Sequence, residues 1–102
     1  DLKQGQGGIA DIEFMVQYSV LRWAYLHPDL AGWTDNIRLL ETLSRFDLLP
    51  NRAADELTRA YKALRAAYHR SSLQDQPTMI PNDRLEEDRA RVRTIWRDLF
   101  ED

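Results

Sequence analysis

The sequence has no cysteine, only four glycines and four prolines, and no long apolar run. Without cysteine, the chain has neither disulfide bonds nor thiolate metal sites, which fits a cytoplasmic location. No stretch approaches the roughly 20 apolar residues that a helix needs to span a bilayer. A basic excess is also lacking, because 14 basic residues face 17 acidic ones, for a formal charge of −3. We therefore expect neither a membrane nor a nucleic acid as a partner.

What remains is the composition of an ordinary globular domain. Of the 102 residues, 43% are hydrophobic and 30% are charged, which is enough apolar material for one core. The sequence starts at Asp1 inside a glycine-rich stretch. This start predicts a piece of a longer protein, forming a single domain over residues 1–102 with a glycine-rich loop over residues 1–9.

Apolar residues recur at helical spacing in four segments, and none of the segments alternates as a strand would. The pattern predicts helices over about 9–26, 35–46, 51–73 and 83–100, with a proline-containing loop over 74–82. Together they indicate an all-α fold, a compact bundle of about four helices.

Three of these helices carry more specific signals. Apolar residues cover most of the first helix's circumference, so we expect it to be central and buried. Thr34 or Asp35 is a candidate N-cap for the second helix. In the third helix, apolar residues recur every three or four positions, which predicts a seam for helix packing; they are Leu57, Tyr61, Leu64 and Tyr68.

The most distinctive feature is the opening segment, in which Gly5, Gly7 and Gly8 lie within four positions and lead directly into a helix. Glycine lets a backbone approach a ligand closely, and the free N–H groups of a helix N-terminus favour anions. With Lys3 beside them, these glycines are candidates for binding a phosphate. The segment lacks the Walker spacing and follows no strand. The residues alone therefore favour a simpler interpretation, in which the glycines form a tight turn.

Asp11 and Glu13 follow this segment at the start of the first helix. They complement the helix dipole in the simpler interpretation. They could instead meet Mg²⁺, but positions two apart on a helix point in different directions. We therefore predict no metal site in this chain. His27 and His69 are the only histidines, and nothing in the sequence brings them together as a catalytic or metal-binding pair.

Residues 3–14 read Lys-Gln-Gly-Gln-Gly-Gly-Ile-Ala-Asp-Ile-Glu-Phe. This segment resembles one in the bifunctional glutamine synthetase adenylyltransferase/adenylyl-removing enzymes. The similarity extends to residues 16–18, 21–22, 33–38, 57–61 and 64–65, and a weaker match reaches Trp96. The Asp-Ile-Glu form resembles the C-terminal, adenylylating half of these enzymes.

The resemblance implies a set of activities and partners. Such enzymes carry two nucleotidyltransferase domains, each followed by helices. One half transfers AMP from ATP, with Mg²⁺, to a tyrosine of glutamine synthetase, and the other removes it by phosphorolysis. Glutamine and the PII signalling protein regulate the balance. The Gly-Ser and Asp-x-Asp elements that bind metal and nucleotide in this superfamily are absent here, so we do not expect this chain to catalyse alone or to bind a cofactor by itself.

The resemblance leads to a main hypothesis and two alternatives. In the main hypothesis, the chain is a helical accessory and regulatory domain that serves an upstream nucleotidyltransferase domain. Lys3, Gly5, Gly7 and Gly8 would face the catalytic cleft, with Asp11 or Glu13 in a supporting role. The first alternative is a non-catalytic interaction module that binds PII or glutamine synthetase. The second is the helical domain of a related PII uridylyltransferase.

Overall fold

The structure, a computed structural model, describes residues 7–32, 35–73 and 83–100. It contains four α-helices, α1 (Ile9–Trp23), α2 (Asn36–Arg45), α3 (Asn51–Leu73) and α4 (Asp83–Phe100), and a short 3₁₀ helix over Pro28–Gly32. No β-strand occurs within those three ranges. The predicted all-α bundle of about four helices is confirmed. The predicted loop over 74–82 lies outside the described residues.

One hydrophobic core joins all four helices. α1 contacts α2, α3 and α4, and α3 packs along both α2 and α4. The predicted seam on α3 is confirmed, because Leu57, Tyr61 and Leu64 are buried. The largest fully buried side chains come from every helix and from the 3₁₀ turn: Ile12, Met15, Val16, Leu30, Leu39, Leu40, Leu43, Leu57, Leu64 and Val92.

The ends of α2 follow from local chemistry. Asp35 caps its N-terminus, because the Asp35 Oδ1 accepts a hydrogen bond of 2.8 Å from the Ile37 backbone N–H. The predicted cap at this position is confirmed. At the other end, Asp47 adopts a positive φ of 58°. The Leu48 N–H then donates back to the Leu43 carbonyl oxygen at 2.9 Å, which closes the turn into α3.

The prediction for the first helix is wrong in two respects. α1 ends at Trp23, and residues 24–26 form a turn, whereas the apolar pattern predicted helix to about residue 26. Moreover, α1 is buried along only one side: Phe14 is 56% exposed and Leu21 is 83% exposed. The core-facing side comprises Ile9, Ile12, Met15, Val16 and Ser19. Its three neighbouring helices cover that side, so Phe14 and Leu21 are left exposed, whereas Val20 and Trp23 are partly buried against the core.

The 3₁₀ helix over Pro28–Gly32 was not predicted. Its function in the fold is to place Leu30, which is fully buried. The Leu30 N–H donates to the His27 carbonyl oxygen at 3.0 Å, and the His27 ring packs on Phe46 with centroids 4.7 Å apart. A single buried residue in five gives no periodic signal, which is why the apolar pattern did not reveal this element.

α1 and α4 are neighbours that run in the same direction. The Phe14 ring packs on Trp96, with centroids 5.5 Å apart, and one turn later the Tyr18 ring meets Phe100 edge-on at 4.7 Å. The equal step along both helices shows that they are parallel. Across the described part of the chain, no helix combines the length and apolarity that crossing a membrane requires.

Candidate functional site

The glycine-rich segment meets α1 in a tight turn. Gly7 has a positive φ of 74°, a conformation that favours glycine. Its backbone N–H donates to the Asp11 Oδ2 at 2.7 Å. Gly8, in extended conformation, precedes the first residue of α1, and the Ile12 N–H donates to the Gly8 carbonyl oxygen at 3.3 Å. Asp11 therefore closes the turn from within the first turn of the helix.

Gly7 is also packed tightly against α4. A Cβ atom added to Gly7 would overlap the backbone carbonyl of Arg89. Both Gly7 and Gly8 are buried. The close approach fixes the start of α1 onto α4, and only a residue without a side chain fits between them.

The second predicted carboxylate, Glu13, is tied to the other two helices. The Tyr61 hydroxyl on α3 donates to the Glu13 Oε2 at 3.1 Å. The same hydroxyl accepts a hydrogen bond of 3.2 Å from the Asn36 Nδ2 at the start of α2. One tyrosine oxygen thus links α1, α2 and α3, just one helical turn beyond the glycine turn. We call Gly7, Asp11, Glu13, Asn36 and Tyr61 the junction.

The environment of Tyr61 favours its neutral form. Burial raises the pKa of Tyr61 above its ordinary value of 10.0, and the adjacent Glu13 carboxylate raises it further. The Asn36 hydrogen bond and the positive charge of Arg65 oppose this shift. The hydroxyl therefore remains a hydrogen-bond donor to Glu13 across the physiological pH range.

The predicted site residues are only partly brought together. Asp11 and Glu13 have different partners, Gly7 and Tyr61, in agreement with their spacing of two along a helix. The N–H of Gly7 is already donated to Asp11. Lys3 and Gly5 lie outside the described residues, so phosphate binding by this segment stays a prediction. Among the described residues, no group of three or more histidines, aspartates and glutamates could hold a metal ion.

Sequence reasoning missed two members of the junction. Tyr61 was predicted only as part of an apolar seam, and no role was predicted for Asn36. Their link to Glu13 spans 48 positions for Tyr61, and no local spacing encodes such a contact. The one available signal was the presence of a tyrosine, whose hydroxyl requires a partner when buried, within an otherwise apolar seam.

Replacing Gly7 with alanine should destabilise the fold. The left-handed backbone alone costs a non-glycine residue about 1–2 kcal/mol, and the added Cβ must displace the Arg89 carbonyl. Thermal unfolding of Gly7→Ala should show a midpoint at least about 5 °C below wild type. Gly32→Ala is the matched control, because no atom lies within 4 Å of its Cβ position. Equal midpoints for the two variants would contradict the close approach.

Replacing Tyr61 with phenylalanine should cost about 1–3 kcal/mol of unfolding free energy, because Glu13 and Asn36 both lose a buried partner. The cost should depend on pH. The folded state holds the Tyr61 proton to higher pH than the unfolded state, whose tyrosine titrates near 10.0. This contribution to stability is complete below that pH and is lost as pH rises above it.

Denaturant titrations at pH 7 and near pH 11 would measure the effect. The difference between wild type and Tyr61→Phe should be smaller at the higher pH. Tyr25→Phe is the control, because Tyr25 is 88% exposed. A difference that stays constant or grows with pH would show that the hydroxyl is not held neutral by the fold.

Comparison of the amino-acid sequence with known proteins shows the family of this chain. A protein-family model described as GlnD PII-uridylyltransferase matches residues 1–99. Curated relatives named bifunctional glutamine synthetase adenylyltransferase/adenylyl-removing enzyme match nearly the whole chain. The Pseudomonas putida protein is 48% identical over 97% of this chain, and the Nitrosococcus oceani protein is 46% identical over 100% of it. The Pseudomonas syringae pv. tomato protein is 50% identical over 97% of this chain. The chain spans 10% of the length of each relative.

These matches confirm the resemblance inferred from residues 3–14, since they extend the similarity across the full helical bundle. The description of the family model also agrees with the second alternative, a relationship to PII uridylyltransferases. The chain belongs to the GlnD PII-uridylyltransferase family, and it is similar to a one-tenth segment of bifunctional glutamine synthetase adenylyltransferases.

Proposed function

We propose that this chain is a helical accessory and regulatory domain of an enzyme that adenylylates and deadenylylates glutamine synthetase. The observation that carries the proposal is the 46–50% identity, across 97–100% of the chain, to proteins named for that activity. The chemistry itself, with ATP and Mg²⁺, would belong to an upstream nucleotidyltransferase domain in the same cytoplasmic polypeptide. Glutamine synthetase would be the protein substrate, and PII and glutamine the regulators.

The junction suggests how the domain would serve that active site. Gly7 is fixed on α4, and Glu13 is fixed on α2 and α3 through Tyr61. The start of α1 is therefore held by every other helix of the bundle. In the proposed enzyme, this would fix the point at which α1 begins relative to the catalytic cleft. Gly7 would contribute the turn, because its N–H is donated to Asp11. Lys3, Gly5 and Gly8 remain the proposed phosphate contacts.

Asp11→Asn and Glu13→Gln, made singly in the full-length enzyme, test this role. Both amides keep an oxygen that can accept the hydrogen bonds from Gly7 and Tyr61, so the fold should be retained while one negative charge is removed. If the junction positions catalytic groups, kcat for AMP transfer to glutamine synthetase should fall about 10- to 100-fold, because a neutral amide accepts these hydrogen bonds more weakly than a carboxylate and holds the start of α1 less tightly. The thermal midpoint should stay within about 4 °C.

Glu41→Gln provides the control for a lost surface carboxylate. Glu41 is exposed and lies 3.8 Å from Arg38 in an ion pair of little energetic value, so both activity and melting should be unchanged. Activity retained in Asp11→Asn and Glu13→Gln, or lost only in step with the melting temperature, would show that the junction merely stabilises the bundle.

The second candidate is the helical domain of a PII uridylyltransferase, favoured by the description of the matching family model. The two candidates differ in nucleotide and in protein substrate. The full-length enzyme incubated with labelled ATP and glutamine synthetase, or with labelled UTP and PII, should label only glutamine synthetase. Labelling of PII with UMP instead would support the second candidate. The same assay without the catalytic domain should label neither protein.

A further inference from the structure

The positive charge of α3 is concentrated in one stretch of the helix. Residues 57–70 contain Arg59, Lys62, Arg65 and Arg70 but no aspartate or glutamate. All 17 acidic residues of a chain whose formal charge is −3 therefore lie elsewhere. Such a separation of charge creates a local positive potential on a domain that is acidic as a whole.

Most of these charges share the side of α3 that faces away from the core. Leu57 and Leu64 are buried, whereas Arg59, Lys62 and Arg70 are exposed. From the geometry of an α-helix, the three exposed charges fall within about 80° of one another around the helix axis and extend over about 16 Å of its length. We call the exposed residues on this side the basic face, and they are Arg59, Lys62, Ala66, His69 and Arg70.

The bundle itself does not neutralise the basic face. Earlier in α3, Arg52 forms an ion pair with Glu56 at 3.2 Å. Among the described residues, no ion pair includes Arg59, Lys62 or Arg70. Arg70 lies in the last turn of α3, where the helix dipole favours positive charge. Because that effect falls off within one turn, it does not account for the two charges in the middle of the helix.

The surroundings of the basic face favour a protein partner over a nucleic acid. Asp55 is exposed one turn before Arg59, and Asp88 on α4 lines the same surface depression as these two residues. A nucleic-acid duplex carries one phosphate charge per about 1.7 Å of its axis and binds along a track of basic residues, which carboxylates at its border interrupt. A protein surface offers carboxylates in short clusters, and such a cluster complements a basic face about 16 Å long.

The composition of the basic face fits a brief encounter better than a permanent contact between domains. Ala66 is its one apolar residue, whereas lasting interfaces have an apolar centre. Complementary charges mainly raise the rate of association and orient the two partners. An enzyme that modifies a protein must bind and release a new copy at every turnover, and a charged, hydrated surface permits this.

We propose that the basic face docks a carboxylate-rich surface of the protein substrate. The inference rests on the proposed function, because it requires the chain to belong to an enzyme that modifies another protein. The guanidinium groups of Arg59 and Arg70 would each bind a carboxylate through two hydrogen bonds, and the Lys62 ammonium would add a third positive charge. The contact would steer the substrate to the enzyme and leave the chemistry of the upstream domain unchanged.

Arg59→Glu/Lys62→Glu in the purified full-length enzyme tests the docking. Both side chains are exposed and glutamate is a good helix former, so the thermal midpoint should stay within about 4 °C of wild type. KM for glutamine synthetase in AMP transfer should rise about tenfold or more at low salt, because attraction between the two surfaces becomes repulsion. Both kcat and KM for ATP should stay within about twofold, since no reacting group is changed.

Arg22→Glu/Arg97→Glu is the matched control, because it makes the same change in charge at exposed positions on α1 and α4. Its KM for glutamine synthetase should equal that of wild type. Arg59→Gln/Lys62→Gln covers the case in which the charge reversal fails to fold, and its KM should rise about threefold. Either rise should shrink as salt is added, because salt at 0.1 M screens exposed charges beyond about 10 Å.

Three results would overturn the docking. One is a KM for the protein substrate that is the same in wild type and in both variants of the basic face. Another is an equal rise in the control, which would reflect net charge rather than this face. The third is tight binding of a DNA duplex by the wild-type enzyme that Arg59→Glu/Lys62→Glu abolishes, which would assign the face to a nucleic acid.

Failure of the docking is distinguishable from failure of the proposed function. The proposed function fails if the wild-type enzyme transfers no AMP to glutamine synthetase. If the enzyme transfers UMP to PII instead, the same variants are compared by their KM for PII, because the basic face is proposed to meet whichever protein is modified. An unchanged KM in a working transfer reaction contradicts the docking alone, and an enzyme that modifies neither protein would overturn both.

Discussion

The burial of one side of α1 is the constraint on which the rest of this fold depends. Ile12, Met15 and Val16 are completely covered because α2, α3 and α4 all pack on the same side of this helix. Each fully buried side chain of this size contributes about 1.5–3 kcal/mol relative to exposure. The arrangement leaves part of the opposite side of α1, including Leu21, uncovered by the helices that the structure describes. One geometric choice therefore accounts both for the core and for the apolar surface that remains.

Polar contacts fix the rotation and position of α1, which the apolar core alone does not determine. Apolar packing is tolerant of small rotations and translations of a helix, whereas a hydrogen bond is lost within a few tenths of an ångström. The Tyr61 hydroxyl, which serves Glu13 and Asn36 together, sets the rotation of α1 relative to α2 and α3. The Gly7–Arg89 approach sets its distance from α4. These contacts thus restrict the orientation of the turn before α1 to a smaller range than packing of the core alone would.

The sequence predicted best where one local pattern determined the outcome. The seam on α3 and the Asp35 cap depend on residues within a few positions of each other, and both are present in the structure. The burial of Phe14 and Leu21 was predicted wrongly because periodicity reports which residues are apolar but does not report how many neighbours exist to cover them. Leu30 was missed because a one-turn helix has no period. The Glu13–Tyr61 hydrogen bond joins residues that are distant in sequence, so the spacing of residues along the chain could not predict it.

The parallel pairing of α1 with α4 has a consequence for the order of folding. Gly7 and Arg89 lie about eighty positions apart, so their contact closes most of the chain into one loop, whereas α2 and α3 are joined by a short turn. Loop closure of that length carries an entropic cost that nearby pairings avoid, and contacts distant in sequence form slowly. We therefore expect α2 and α3 to associate first and α4 to close onto α1 last. The glycine turn would acquire its native geometry only in that final step, which makes it a reporter of complete assembly.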